Sequence, residues 1–240
     1  MQRYFVSKLE IENKEIISSD VYHITTVMRM KQNDEIILIN NYNEYLVKII
    51  NISKNKITFE ILNEKKHHKK SKKITLIQGL PKKDKFEFII QKACELGVSN
   101  IIGVKTRYSD IKIKDEKYNT KIDRYNKILK EASEQSNRID IPNIELKNSL
   151  NEIDYSNYDL KILCYEKEKE KMLYDVKDIN KYNNICIIIG PEGGISNEEY
   201  EFLLKNNFIS ILLGKNILRT ETASISVLSI LLYEWSKKWK

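Results

Sequence analysis

The chain has 240 residues and a net charge of +7, with 41% hydrophobic and 31% charged residues. That length can bury one large core or two smaller ones, and apolar runs such as ICIII and ISILL exclude a disordered chain. No stretch reaches the roughly 18 apolar residues of a spanning helix, and the start MQRYFVSKLEIENKE lacks the apolar block of a signal peptide.

The first part predicts short strands separated by polar turns: QRYFV, EIILIN at 35–40, EYLVKIINI at 44–52 and KITFEIL at 56–62. One helical stretch, 18–30, interrupts them. A start at Ser19 or Asp20 sets Val21, Ile24 and Met28 on one face, with His23 and Arg29 elsewhere. A small barrel carrying one helix follows, an architecture common among nucleic-acid platforms but not proof of binding. The run EKKHHKKSKK at 64–73 comes next. Residues 1–73 carry 14 basic against 9 acidic residues, and six of the basic ones lie in this run. It reads as a solvated linker, so charge alone gives little support for nucleic acid, and the boundary falls between domains 1–72 and 73–240.

From Ile74 the texture becomes strands alternating with helices: KITLIQGL, a helix over 84–96, NIIGVK, a long helix across 115–136, LKILCYE, NICIIIG, a helix from Ser196, SILLG and a final helix to the C-terminus. This is the pattern of a mostly parallel sheet flanked by helices. In the helix 84–96, Phe86, Ile89, Ile90, Ala93 and Leu96 form the apolar face, and Gly97 ends it. Cys94, Cys164 and Cys186 lack C-x-x-C spacing and read as small buried hydrophobes in a reducing compartment. With His67 and His68 isolated among lysines, no metal site is expected. A cytoplasmic protein with no membrane partner is the resulting expectation.

Glycine is the most informative residue. There are only 7, yet Gly190, Gly193, Gly194 and Gly214 fall within 25 residues, in GPEGGIS and GKNILRTETAS, each directly after an apolar strand. Glycine placed so sparingly marks backbone that bends through positive φ or approaches something closely. Ligands of open α/β sheets bind beyond the carboxyl ends of the strands, where these loops lie. Ser196 and Glu199 have capping-box spacing. A Walker A loop and a G-x-G-x-x-G fingerprint are both absent, which disfavours ATP or NAD.

GPEGGIS at 190–196 and LGKNILRTETAS at 213–224 resemble the bacterial 16S rRNA uridine-N3 methyltransferase family, ribosomal RNA small subunit methyltransferase E, of the knotted SPOUT superfamily. QRYF, HITTVMRM at 23–30, QGLPKKDKFEFIIQKACELGV at 78–98 and EASEQSNRIDIP at 131–142 are similar to that family in the same order. The resemblance implies a PUA-like RNA-binding β-barrel over 1–72 and an α/β SPOUT methyltransferase domain over 73–240 with a trefoil knot. It also implies a homodimer that uses S-adenosyl-L-methionine and acts on 16S rRNA or the small ribosomal subunit. Carried over by residue, Gly190, Glu192, Gly193, Gly194, Leu213, Gly214, Ile217, Leu218, Arg219 and Thr220 form the cofactor cradle, with Tyr165 beside it. The chain departs from the family at Asn216, where Arg is usual, and at Asn137, where Gly is usual; Asn tolerates left-handed φ.

Methyl transfer from a sulfonium to uracil N3 needs alignment and loss of the imide proton. Arg219 is the first choice for electrostatic support, and Glu221 or Glu192 are candidate bases, although Glu221 also fits a plain helix-start carboxylate. Arg3, Arg29, Lys82, Lys83, Lys85 and Arg107 are candidate RNA contacts, and Arg138 serves either the site or the dimer interface. Two other classes stay open: an RNA-binding or ribosome-assembly factor that keeps the fold without turnover, and a nucleotide-using α/β enzyme.

Overall fold

The computed structural model describes residues 1–69, 71–109 and 118–236, with the backbone alone at Lys83. The chain forms two compact units, Met1–Lys69 with Ser133–Ile141, and Lys70–Ala132 with Pro142–Lys240.

In the first unit, β1 (Arg3–Phe5) is followed by α1 (Lys8–Asn13), β2 (Glu15–Ile16) and α2 (Asp20–Tyr22), then by β3 (Glu35–Asn40), β4 (Asn43–Ser53) and β5 (Lys56–Lys66). The strands pair in the order β1-β3-β4-β5-β2, with β1 parallel to β3 and the other ladders antiparallel. Tyr45, Val47 and Ile49 of β4 alternate inward and meet Ile36, Leu38, Ile57 and Phe59 in the core, as the period of two predicts. β5 continues to Lys66, so the first residues of the lysine run belong to the sheet, opposite Asn43, Glu44 and Tyr45.

The helix predicted at 18–30 is a single α-turn that passes into a π-helical stretch, His23–Val27, closed by the Met28 N–H donating to His23 O at 2.9 Å. Val21 and Ile24 are buried as expected. Met28 is not: the wider i→i+5 turn rotates it off the apolar face, and it is exposed. His23 instead closes on the core rim, its Nδ1 3.0 Å from the Tyr4 hydroxyl. The sequence reading also passed over α1, whose capping box is complete. The Ser7 hydroxyl accepts from the Glu10 N–H, and Glu10 Oε2 accepts from the Ser7 N–H.

The segment Ser133–Ile141 joins this unit from far along the chain. Glu134 Oε1 accepts the Phe5 N–H at 3.0 Å. Asn137 is left-handed at φ 58°, so the turn survives the loss of glycine. Arg138 is buried and donates to the Asp140 carbonyl and carboxylate at 3.1 Å each.

The second unit contains β6 (Lys73–Gly79), α3 (Lys83–Glu95), β7 (Asn100–Val104), α4 (Tyr118–Gln135) up to Ala132, β8 (Asn143–Lys147), β9 (Leu160–Cys164), β10 (Asn184–Ile189), α5 (Asn197–Lys205), β11 (Ile209–Ile211) and α6 (Thr220–Ser236). The predicted starts of the long helix at 115–117 and the last residues 237–240 lie outside the described residues. All six strands run parallel in the order β11-β9-β10-β6-β7-β8. Central β6 and β10 are covered on both faces, which is why they read as unbroken apolar runs. On one face Phe86, Ile89 and Ile90 of α3 and Val227, Leu228 and Leu231 of α6 pack on the sheet; on the other, Leu203 and Phe208 cover Ile77 and Ile188. All three cysteines are buried. β8 was missed because NIELK is a short edge strand with polar residues on both sides of each apolar one.

Glu10 is the polar anchor of the first unit. Burial alone would push its carboxyl up, but the N–H groups of Ser7, Ile17 and Ser18 and the Ser7 hydroxyl outweigh it and hold the carboxyl below its ordinary range. A depressed carboxyl contributes stability that is fully present at neutral pH and is lost as pH falls through its folded value. Glu10→Ala should lower stability by about 2–4 kcal/mol in urea denaturation at pH 7. The deficit should shrink as the wild type is acidified; one that stays constant with pH would remove the charge from the explanation.

Candidate functional site

The carboxyl ends of β6, β9, β10 and β11 lie side by side, and the loops leaving them enclose a cavity of about 690 Å³. β10 ends at Ile189 and enters Gly190–Gly194. The Gly194 N–H donates to Pro191 O at 2.9 Å, and Gly194 is left-handed at φ 76°. A side chain at Gly190 would crowd the turn, since a Cβ there would lie 3.0 Å from the Gly194 backbone. At the neighbouring strand end, a Cβ on Gly79 would lie 2.5 Å from Pro191 Cδ. Ser196 and Glu199 then form the predicted capping box.

Gly214 differs from these. A Cβ there would meet no atom of the described residues within 4 Å, and its φ is not positive, yet the residue lines the cavity. Protein packing does not require glycine at this position.

A buried polar network that the sequence reading missed joins the two loops. Gln78, the next-to-last residue of β6, is fully buried. Its Nε2 lies 2.9 Å from Thr220 Oγ1 and from Gly79 O, and 3.3 Å from Gly190 O. Thr220 Oγ1 donates to Gly190 O at 2.7 Å, and Ser224 Oγ lies 2.7 Å from Gln78 Oε1. The signal was present in KITLIQGL, where an amide interrupts an apolar strand. A buried amide must find partners, and here they hold the start of α6 against the glycine loop.

All ten residues assigned to the cradle line this one cavity: Gly190, Glu192, Gly193, Gly194, Leu213, Gly214, Ile217, Leu218, Arg219 and Thr220. Tyr165 lines it too, stacked on Tyr200 with ring centroids 4.5 Å apart. Ile217 is 83% exposed, an apolar side chain that the described residues leave uncovered. Cys164 also reaches the wall, but burial pushes its thiol up to about 12, so it is no nucleophile at neutral pH.

The charged residues divide differently from the sequence expectation. Arg219 is exposed on the cavity wall and makes no side-chain ion pair with a described residue. Glu192 lines the cavity, and its Oε1 lies 3.1 Å from Lys85 Nζ. Burial pushes its carboxyl up, but N–H donors and the Lys85 ammonium prevail and hold it low. Glu221 does not line the cavity; its Oε2 is buried without a hydrogen-bond partner among the described residues, 3.7 Å from Lys85 Nζ.

Among the proposed RNA contacts, Lys85 therefore stands in the cavity wall. Arg3 is paired with Glu44 at 2.8 Å and largely buried, and Arg138 is buried against Asp140, so neither offers its charge at a surface. Arg29 is exposed at φ 53°, Lys82 is exposed beside the glycine loop, and Arg107 is exposed with its N–H on Glu199 at 2.7 Å. The Lys83 side chain lies outside the described residues.

Comparison with known proteins matches this geometry to a family. The family described as RNA methyltransferase domain matches residues 68–232, and that described as RNA methyltransferase PUA domain matches residues 18–62. The chain is 34% identical to the ribosomal RNA small subunit methyltransferase E of Bacillus subtilis over 98% of its own length and 97% of the relative's. It is also 34% identical to that of Rickettsia conorii, over 94% and 92%. Among solved structures it is similar to the Neisseria gonorrhoeae methyltransferase E bound to S-adenosyl methionine, with TM-score 0.85, 25% identity and 98% of each chain covered. A Legionella pneumophila protein in complex with the bound cofactor SAM gives TM-score 0.84 and 30% identity, covering 92% of this chain and 91% of that one. The chain belongs to the ribosomal RNA small subunit methyltransferase E family.

Proposed function

We propose that the protein transfers a methyl group from S-adenosylmethionine to N3 of a specific uridine in 16S rRNA of the small ribosomal subunit, acting in the cytoplasm as a homodimer. The single observation that carries this reading is the convergence of both glycine-containing loops on one cavity, within a chain of this family. The uridine target rests on the resemblance of GPEGGIS and LGKNILRTETAS. The dimer is supported by α6, which leaves Ile230 and Tyr233 exposed on a mainly apolar helix. No helix among the described residues is long and apolar enough to cross a membrane. The implied trefoil knot belongs to the same proposal, supported by a sheet order that inserts β10 between β9 and β6.

The cavity suits the cofactor. Its volume falls within the range of small-molecule sites, Leu213, Ile217 and Leu218 offer apolar faces for a purine, and Gly214 leaves its backbone open to close approach. Bound there, S-adenosylmethionine supplies an electrophilic methyl on a sulfonium. The protein's own contribution is alignment and charge. The Gln78–Thr220–Ser224 network fixes the two loops, so the cradle needs little reorganisation. Arg219 presents a cation without an ion-pair partner among the described residues where negative charge develops on the ring as its imide proton leaves. Glu192, ionised and facing the cavity, is better placed than Glu221 to accept that proton.

Mass mapping of modified nucleosides in 16S rRNA tests the target. A deletion strain should lack one N3-methyluridine, restored by the wild-type chain; an unchanged map would reject this target. Gly194→Val should abolish cofactor binding in calorimetry, because a β-branched residue resists positive φ at a cost of about 1–3 kcal/mol. Gly214→Val should weaken binding while leaving the unfolding midpoint almost unchanged, since a Cβ there meets none of the described protein atoms within 4 Å. Arg219→Ala should lower turnover by about 10²-fold with cofactor affinity kept within a few-fold; equal losses would place Arg219 in the cradle.

A further inference from the structure

Lys85 sits where helix electrostatics disfavour it. It occupies the first turn of α3, the end at which the macrodipole favours anions. Two carboxylates from other elements hold it there: Glu192, from the loop after β10, at 3.1 Å, and Glu221, from the first turn of α6, at 3.7 Å. The second distance exceeds hydrogen-bonding range, so Glu221 attracts the ammonium without taking one of its protons. The ammonium is ion-paired with Glu192, and the side chain keeps 32% of its surface open in the cavity wall. Glu221 Oε2 is buried with no hydrogen-bond partner among the described residues, and Lys85 is the cation placed to balance it. A lysine at the unfavourable end of a helix, anchored from two sides, is a local conflict of the kind found at functional sites.

We infer that Lys85 is a catalytic residue of the methyl-transfer site, its ammonium donating to a carbonyl oxygen of the target base, and that Glu221 is the positioning residue that holds it. This rests on the methyltransferase reading above. As the base gives up its ring proton to the Glu192 carboxylate, negative charge spreads to the adjacent carbonyl oxygen, where the ammonium, still faced by Glu221, stabilises it; the ring nitrogen then takes the methyl as the carbon–sulfur bond breaks and its electron pair returns to sulfur. The charges facing Lys85 are Glu192 and Glu221, with Arg219 on the same cavity wall. The other oxygen anion a lysine here could meet is the cofactor's carboxylate, and the two occupants predict different results.

The test compares wild type, Lys85→Met, Lys85→Arg, Glu221→Gln and the Lys85→Met/Glu221→Gln double variant. Each is assayed for methyl incorporation into small subunits from a deletion strain, and each is titrated with S-adenosylmethionine by calorimetry. Lys85→Met should lower kcat about 100-fold with cofactor Kd within threefold, and Lys85→Arg should recover part of the loss. Glu221→Gln should slow turnover, and the double variant should be no slower than Lys85→Met, because Glu221 acts through Lys85. Cofactor affinity falling in step with turnover would overturn the inference in favour of a cofactor-carboxylate contact. Additive losses in the double variant would overturn the role of Glu221. A wild type that binds cofactor but methylates no small-subunit RNA would instead reject the underlying function.

Discussion

The site depends on one buried side-chain amide. Gln78 lies one residue before the end of an apolar strand in the middle of the sheet, where an unpartnered amide would cost several kcal/mol, so its partners are obligatory. Those partners are the Gly190 carbonyl of the glycine turn and the Thr220 and Ser224 hydroxyls of the start of α6, 30 residues or more further along the chain. Hydrophobic packing alone brings α6 onto the sheet but fixes its start only loosely. The hydrogen bonds supply the direction that packing lacks, and they fix the start of α6 relative to the glycine turn.

The rest of the cavity follows from that constraint and from parallel strand order. Because all six strands point the same way, their carboxyl ends form a single edge, and irregular backbone leaving that edge can converge. Gly79 and Pro191 touch so closely that two strand ends behave as one wall. Ile217 projects from the facing loop with nothing described to cover it. Stabilising contacts end where the space for a ligand begins.

Much of this was legible from residue types. Positive φ at Gly194 and the capping box at Ser196 followed from spacing, because backbone sterics and helix-end hydrogen bonds are local. The strands of the parallel sheet were readable because burial on both faces leaves unbroken apolar runs. What could not be read was long-range. Lys85 resembles any surface lysine until Glu192 and Glu221 arrive from other elements, and Arg3 resembles a phosphate contact until Glu44 is found beside it. The π-helical turn at His23–Val27 escaped because a pattern of 3.6 residues cannot anticipate a wider one.

The tie between Phe5 and Glu134 has a consequence for how the molecule is made. The N-terminal unit is not a contiguous stretch, since it includes Ser133–Ile141. During synthesis its strands emerge long before that segment, and they cannot acquire the Glu134 hydrogen bond or the buried Arg138–Asp140 turn until more than half the polypeptide has left the ribosome. A fragment cut at the lysine run would carry the five strands of the first sheet without the segment that completes their unit.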